Sequence, residues 1–191
     1  MIDQQFVEAV SKTTRGIGDI SQVHDFAQSY SHSQIKSKLW LVEHLYENHS
    51  PKNICIIGSW YATVLPYLLR HTSKITCFDA DPHVHNIANE FAHNAAINST
   101  SIHGRMESIN MATYDTVINT SCEHMPDMKD HIVSAFPVYA LQSNNYHHIP
   151  EHTNCKNSLD EFVESTGLNN IYYADTQVND RYERYMVIGT L

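Results

Sequence analysis

Glycine and proline are scarce, six of each in 191 residues, which excludes collagen-like and low-complexity backbones. No stretch approaches the roughly 18 consecutive apolar residues of a membrane helix. The opening segment, M-I-D-Q-Q-F-V-E-A-V-S-K, lacks a basic start followed by an apolar core. A cytoplasmic location with no membrane partner is therefore expected. Basic residues are few: 12 Lys plus Arg stand against 21 Asp plus Glu, a formal balance of −9. A phosphate-backbone binder needs the opposite sign, so nucleic acid is an unfavoured partner. Cysteine is limited to Cys55, Cys77, Cys122 and Cys155 without paired close spacing, and reduced, mostly buried thiols are expected.

Metal motifs are also missing, although histidine numbers 14. There is no C-x-x-C and no H-E-x-x-H. His83 and His85 point to different faces of a helix, and Pro150 breaks any helix that would pair His148 with His152. Glu123, Asn144 and Asn145 lack the paired aspartates of a divalent-ion site. The expectation from spacing is that no metal is bound.

What is present is a globular composition, 42% hydrophobic and 17% charged. Its length suits a single domain, residues 1–191, with a helical extension over 1–50 and a sheet core over 51–191. Phe6, Val7 and Val10 fit one or two amphipathic turns, interrupted at Thr14, Gly16 and Gly18, so short N-terminal helices are expected. Ile35, Leu39, Val42, Leu45 and Tyr46 predict a firmer one over Ser33 to Asn48. Asn53 to Gly58 is a continuous apolar run, the pattern of a central parallel strand. Helix and strand patterns then alternate. Helices are expected over Thr63 to Arg70 with Pro66 in the first turn, Pro82 to Asn94, Asp127 to Ala135 and Ser158 to Gly167. Strands are expected at Lys74 to Phe78, Ser101 to Ile102, Tyr114 to Asn119, Val138 to Gln142, Asn170 to Gln177 and Arg184 to Gly189. The fold class is therefore α/β. It is a Rossmann-like seven-stranded sheet, mostly parallel with an antiparallel last strand and helices on both faces.

This order, with I-C-I-I-G-S-W-Y-A at 54–62, C-F-D-A-D-P at 77–82 and V-I-N-T-S-C-E-H-M at 117–125, resembles the class I S-adenosylmethionine-dependent methyltransferases. The strings N-T-S-C-E-H-M and L-Q-S-N-N-Y are similar to those of a poorly characterised, partly bacteriophage branch. The resemblance implies S-adenosyl-L-methionine as cofactor. By position, its glycine-rich turn falls on Gly58, Ser59, Trp60 and Tyr61, its ribose-binding acid on Asp79 beside Ala80, and its adenine flank on Arg105 and Met106. Asn119 and Thr120 close the set after the fourth strand. Physical reasons stand beside the resemblance. Ligands of open parallel sheets bind beyond the carboxyl ends of the strands where chain order reverses, and a carboxylate at Asp79 can accept both hydrogen bonds of a ribose diol.

One departure is conspicuous. The family pattern has three alternating glycines preceded by an acid, whereas this chain has Gly58, Trp60 and Ala62, with Ile56 at the acid position. Two readings are open: a wider turn with the indole as a pocket wall, or a site altered for another ligand. Of the acids after strand two, Asp79 is assigned to ribose and Asp81 to the cap of the next helix.

The segment from Leu141 to Cys155 concentrates amides, imidazoles and a phenol after strand five. It is either a solvated loop or, as the architecture implies, an acceptor site built from Asn144, Asn145, Tyr146 and His148. Glu123, His124 and His152 are the candidate catalytic groups, as hydrogen-bond orienter and proton acceptors, with cofactor contact or helix capping as the alternative for the E-H pair. Lys36 and Lys38, the compact basic pair near the cleft edge, read as a solvated face. Marks of nucleic-acid methylation are absent: no D/N-P-P-Y/F tetrapeptide follows strand four, and Cys122 is not preceded by proline. The expected function is methyl transfer to an oxygen or nitrogen of a small-molecule acceptor. The alternatives are a cofactor-binding or interaction protein without transfer and, disfavoured by charge, a nucleic-acid or protein methyltransferase.

Overall fold

A computed structural model describes residues 2–72 and 74–191. Seven strands form one sheet: β1 (Asn53–Ile57), β2 (Lys74–Asp79), β3 (Ser99–His103), β4 (Thr116–Asn119), β5 (Val138–Asn144), β6 (Asn170–Val178) and β7 (Glu183–Thr190). Their spatial order is β3-β2-β1-β4-β5-β7-β6. The first five run parallel, and β7 inserts antiparallel between β5 and β6, as expected. Chain order reverses between β1 and β4, and the register sets Ile57 beside both Phe78 and Asn119. The residues that follow these strands are therefore gathered at one rim.

The apolar run of β1 is buried on both faces because successive side chains alternate between two cores. Ile54 and Ile56 face a core built with α1 (Gln4–Gly16), α2 (Ile20–Gln28), α3 (His32–Asn48), α4 (Val64–Leu68) and α5 (His85–Asn94). Cys55 and Ile57 face the other, which contains Phe162 of α6 (Leu159–Thr166). Phe6 of α1 meets the rings of Tyr67 and Phe91 edge-on, which docks the N-terminal helices onto the sheet layer. The Asp3 carboxylate caps α1 by accepting from the Phe6 amide. Among the described residues no helix is long and apolar enough to cross a membrane.

Several local expectations are corrected. Residues Asp127 to Ala135 form no α-helix, only a single 3₁₀ turn at Met128–Asp130. Met128 and Ile132 reach the core while Val133 is exposed, so the apolar stripe is too short to offset the cost of ordering a helix. The second face of the sheet is consequently covered by α6 and short turns. α5 begins at His85, not Pro82, and β3 is longer than the two residues expected. β5 runs on to Asn144, which moves that amide from a loop to the end of a buried strand. The signals at α6 hold: Ser158 Oγ accepts from the Glu161 amide and Gly167 closes the helix at φ +71°.

Candidate functional site

The turn after β1 carries left-handed backbone at alternate positions: Gly58 at φ +63°, Trp60 at +48° and Ala62 at +48°. These are the positions of the three glycines in the family pattern. The backbone course is kept although two glycines are replaced, at a cost of about 1–2 kcal/mol for each side chain so placed. Three hydrogen bonds hold it. Ser59 donates its amide to the Phe78 carbonyl at 3.1 Å, Ala62 donates to the Ser59 carbonyl at 2.8 Å, and Trp60 donates to Asp79 Oδ2 at 2.6 Å. Side chains also crowd the position beside Gly58. A Cβ there would stand 2.5 Å from Met125 Cε and 3.2 Å from Ser121 Cβ.

Asp79 closes β2 and binds that turn. Its other oxygen, Oδ1, accepts the Asp81 amide at 2.9 Å. Each oxygen thus holds one backbone N–H and retains a further lone-pair direction. Asp81 accepts from the His83 amide at 2.8 Å, in the turn that precedes α5. It therefore caps a turn and not the first turn of α5 itself.

Beneath this rim lies a cavity of about 850 Å³, within the range of small-molecule and cofactor sites. Gly58, Ser59, Trp60, Asp79, Ala80, Arg105, Met106 and Thr120 line it, as do Glu123, His124, Asn144 and His152. Trp60 is therefore a wall of the cavity. Ser59 Oγ is buried with no hydrogen-bond partner among the described residues.

The remaining sequence candidates stand apart from this wall. Tyr61 is buried and packs edge-on against Phe26, 5.6 Å between centroids, because alternation in the turn directs it into the core. Asn119 is fully buried, accepting the Ser121 amide through Oδ1 and reaching the sulfurs of Met125 and Met128 with Nδ2. Asn145 is bound to Glu183 across the β5–β7 pair. Tyr146 meets the rings of His148 and His152 edge-on and that of Tyr182 at a tilt, and neither it nor His148 lines the cavity.

At the end of β5 the cavity carries a buried polar cluster. Glu123, 3% exposed, accepts from Asn144 Nδ2 at 2.5 Å on Oε1, and Arg184 Nη2 lies 3.8 Å from the same oxygen. Arg184 also donates to the Thr120 carbonyl at 3.4 Å. Glu123 Oε2 and Arg184 Nε are buried without hydrogen-bond partners among the described residues. Beside them stands Lys38 of α3. Burial of its ammonium, reinforced by the Arg184 charge and opposed by Glu123, lowers its pKa to about 7. The Cys122 thiol behind Glu123 is pushed well up, by burial and then by the Glu123 charge, which keeps it protonated and unreactive.

Sequence reasoning therefore missed Lys38 and Arg184 as cavity residues. Lys38 falls on a face with helical spacing that reads as solvated. Arg184 does leave a signal, since it is a charge opening the apolar strand Y-M-V-I.

Neither a protein-family model nor a curated protein matches the chain. Solved structures do match in shape. Geranyl diphosphate methyltransferase in complex with S-adenosylmethionine superposes with TM-score 0.65 at 11% identity, over 94% of this chain and 94% of that one. Magnesium protoporphyrin IX methyltransferase from Synechocystis PCC 6803, with S-adenosylhomocysteine bound, gives 0.61 at 13% identity over 97% and 98%. The tRNA (uracil-54, C5)-methyltransferase of Pyrococcus abyssi gives 0.58 at 13% identity, over 80% of this chain and 38% of that chain. The chain thus has the class I methyltransferase fold.

Proposed function

We propose that this protein is an S-adenosylmethionine-dependent methyltransferase acting on an oxygen or nitrogen of a small molecule. The observation that carries the reading is the unit formed by Asp79 and the Gly58–Ala62 turn, set over the cavity at the rim where chain order reverses. Its donors and acceptors fit the cofactor. Asp79 has lone pairs free for two ribose hydroxyls, and the buried Ser59 hydroxyl has no partner among the described residues. Arg105 and Met106 supply a cation and an apolar surface for a flat base on the β3 side.

The cofactor, when bound, supplies an activated methyl group, so this chain's residues chiefly orient, exclude water and take up a proton. Orientation falls to Asn144 and Glu123 at the floor, locked to each other. His124 and His152 line the cavity beside Glu123 and face the acceptor. Lys38 and Arg184 beside Glu123 favour an acceptor that brings an oxygen-rich or anionic group. The −9 balance remains unfavourable to a nucleic-acid substrate.

A second reading, cofactor binding without transfer, is favoured by Trp60, whose indole occupies wall space that a glycine leaves open. Calorimetry with S-adenosylmethionine and S-adenosylhomocysteine tests both. Binding is expected for each, and no heat for either at millimolar concentration would remove both readings. Formation of S-adenosylhomocysteine on incubation with a metabolite extract separates transfer from binding alone.

A further inference from the structure

Two loops distant in sequence bring a second set of groups together at the acceptor end of the cavity. One oxygen of Glu123 and one ring nitrogen each of His124 and His152 lie within 4.8 Å of one another. The two rings meet edge-on, 4.5 Å between centroids. We propose that Glu123, His124 and His152 form a binding site for a divalent ion of zinc-like character, which receives an oxygen donor of the acceptor. As an acceptor site, this inference rests on the methyltransferase reading; as a metal site, it does not.

Hydrogen bonding around the three groups supports it. His124 Nδ1 faces the Glu151 carbonyl at 3.1 Å, and His152 Nδ1 faces the Tyr146 carbonyl at 2.8 Å. A carbonyl only accepts, so each Nδ1 carries a proton, and the neutral form of such a ring has its lone pair on Nε2. Ligating histidines are habitually oriented in this way, by donating the other ring N–H to a backbone carbonyl. Glu123 is arranged likewise. Asn144 and Arg184 approach Oε1, while Oε2 is buried with no partner although the residue is only 3% exposed. A buried carboxylate oxygen without a donor is costly, and a cation would satisfy it.

The donor set selects the ion. Two imidazoles and a carboxylate suit zinc, cobalt or iron and not magnesium, which prefers an all-oxygen shell. Three protein ligands leave coordination positions open, the arrangement of catalytic and not of structural zinc. Because the same residues line the cavity, those positions suit a hydroxyl or carboxylate of a bound acceptor.

The test is calorimetric titration of the full chain, stripped with a chelator, with Zn²⁺ and separately with Mg²⁺, alongside the absorption spectrum of Co²⁺ added to the same protein. One Zn²⁺ per chain is expected, with micromolar or tighter affinity, and Mg²⁺ is expected not to compete. His124→Ala, on an exposed residue, and His152→Ala should each weaken Zn²⁺ at least tenfold and change the Co²⁺ spectrum, while His83→Ala should do neither. Absence of saturable binding, a preference for Mg²⁺, or affinity unchanged in both His124→Ala and His152→Ala would overturn the proposal. Binding of S-adenosylhomocysteine, measured with chelator present, is a separate readout. Its loss sinks the methyltransferase reading and leaves the metal site standing, and the reverse outcome does the opposite.

Discussion

Trp60 and Asp79 are joined by a 2.6 Å hydrogen bond from the indole residue's amide to the carboxylate. The side chain that departs from the glycine pattern is thereby tied to the acid that the pattern requires. The bond fixes the strained backbone of the turn and holds the carboxylate at the cavity edge. Loss of Asp79 should therefore harm the turn as well as any ligand.

In Asp79→Asn an amide NH₂ replaces one accepting oxygen and confronts one of two backbone donors. Urea unfolding should show a loss of about 1–3 kcal/mol. Affinity for S-adenosylhomocysteine should fall at least tenfold, and Asp81→Asn should change it far less. Equal affinity in Asp79→Asn and the parent protein would refute the ribose assignment.

Gly58→Ala introduces a Cβ against Met125 Cε at a residue with φ +63°. The expected cost is about 1–2 kcal/mol from the left-handed backbone, plus whatever shift Met125 must make. Cofactor affinity should drop more than stability does. Adding Met125→Ala should restore part of the affinity by vacating the space.

Lys38 places a pH dependence in the site. Its pKa is lowered from 10.5 to about 7, so between these values the unfolded chain holds a proton that the folded chain lacks. Stability should therefore rise with pH across that window, and the cost of burying the ammonium is fully present below pH 7. Lys38→Met should be more stable than the parent at pH 6, on the order of 1–3 kcal/mol after screening, with the gap closing toward pH 10. Thermal melts over that range provide the check.

Asp127 also gains stability as pH rises, here because its charged form is the favoured one. Burial opposes its ionisation, but hydrogen bonds from Lys156 and Asn154 outweigh burial and hold the carboxyl below its usual value. Lys156 Nζ lies 2.7 Å from Asp127 Oδ1 and is itself mostly buried. This contribution is complete above the ordinary carboxylate range and is lost as pH falls through it. Asp127→Asn should cost about 1.5–3 kcal/mol at pH 7, because a mostly buried ammonium loses its charged partner and keeps the Asn154 amide oxygen. The difference from the parent should shrink toward pH 3.

Local patterns in the chain resolved most of the fold. The apolar run at Asn53–Ile57 and the Ser158 and Gly167 boundaries of α6 are short-range signals, and each appears where the pattern places it. The failure at Asp127 to Ala135 has the same cause seen from the other side. The residues there can form a helix, but nothing in the tertiary structure covers Val133, and Asp127 is committed to Lys156 instead. Gly58 and Asp79 were legible because a strand's end can be read from its neighbours. Tyr61 and Asn119 turn away from the cavity, since alternation sends adjacent side chains to opposite sides.

The amino-acid order by itself determined the alternating elements, the rim residues that follow each strand and the acidic surface, because these depend on contacts within a few residues and on simple charge. Tertiary structure alone decided that Lys38 and Arg184 flank Glu123, and that His124 and His152 face one another. Those residues lie on separate elements, and only closure of the parallel sheet, with β7 inserted beside β5, brings them to one end of a cavity.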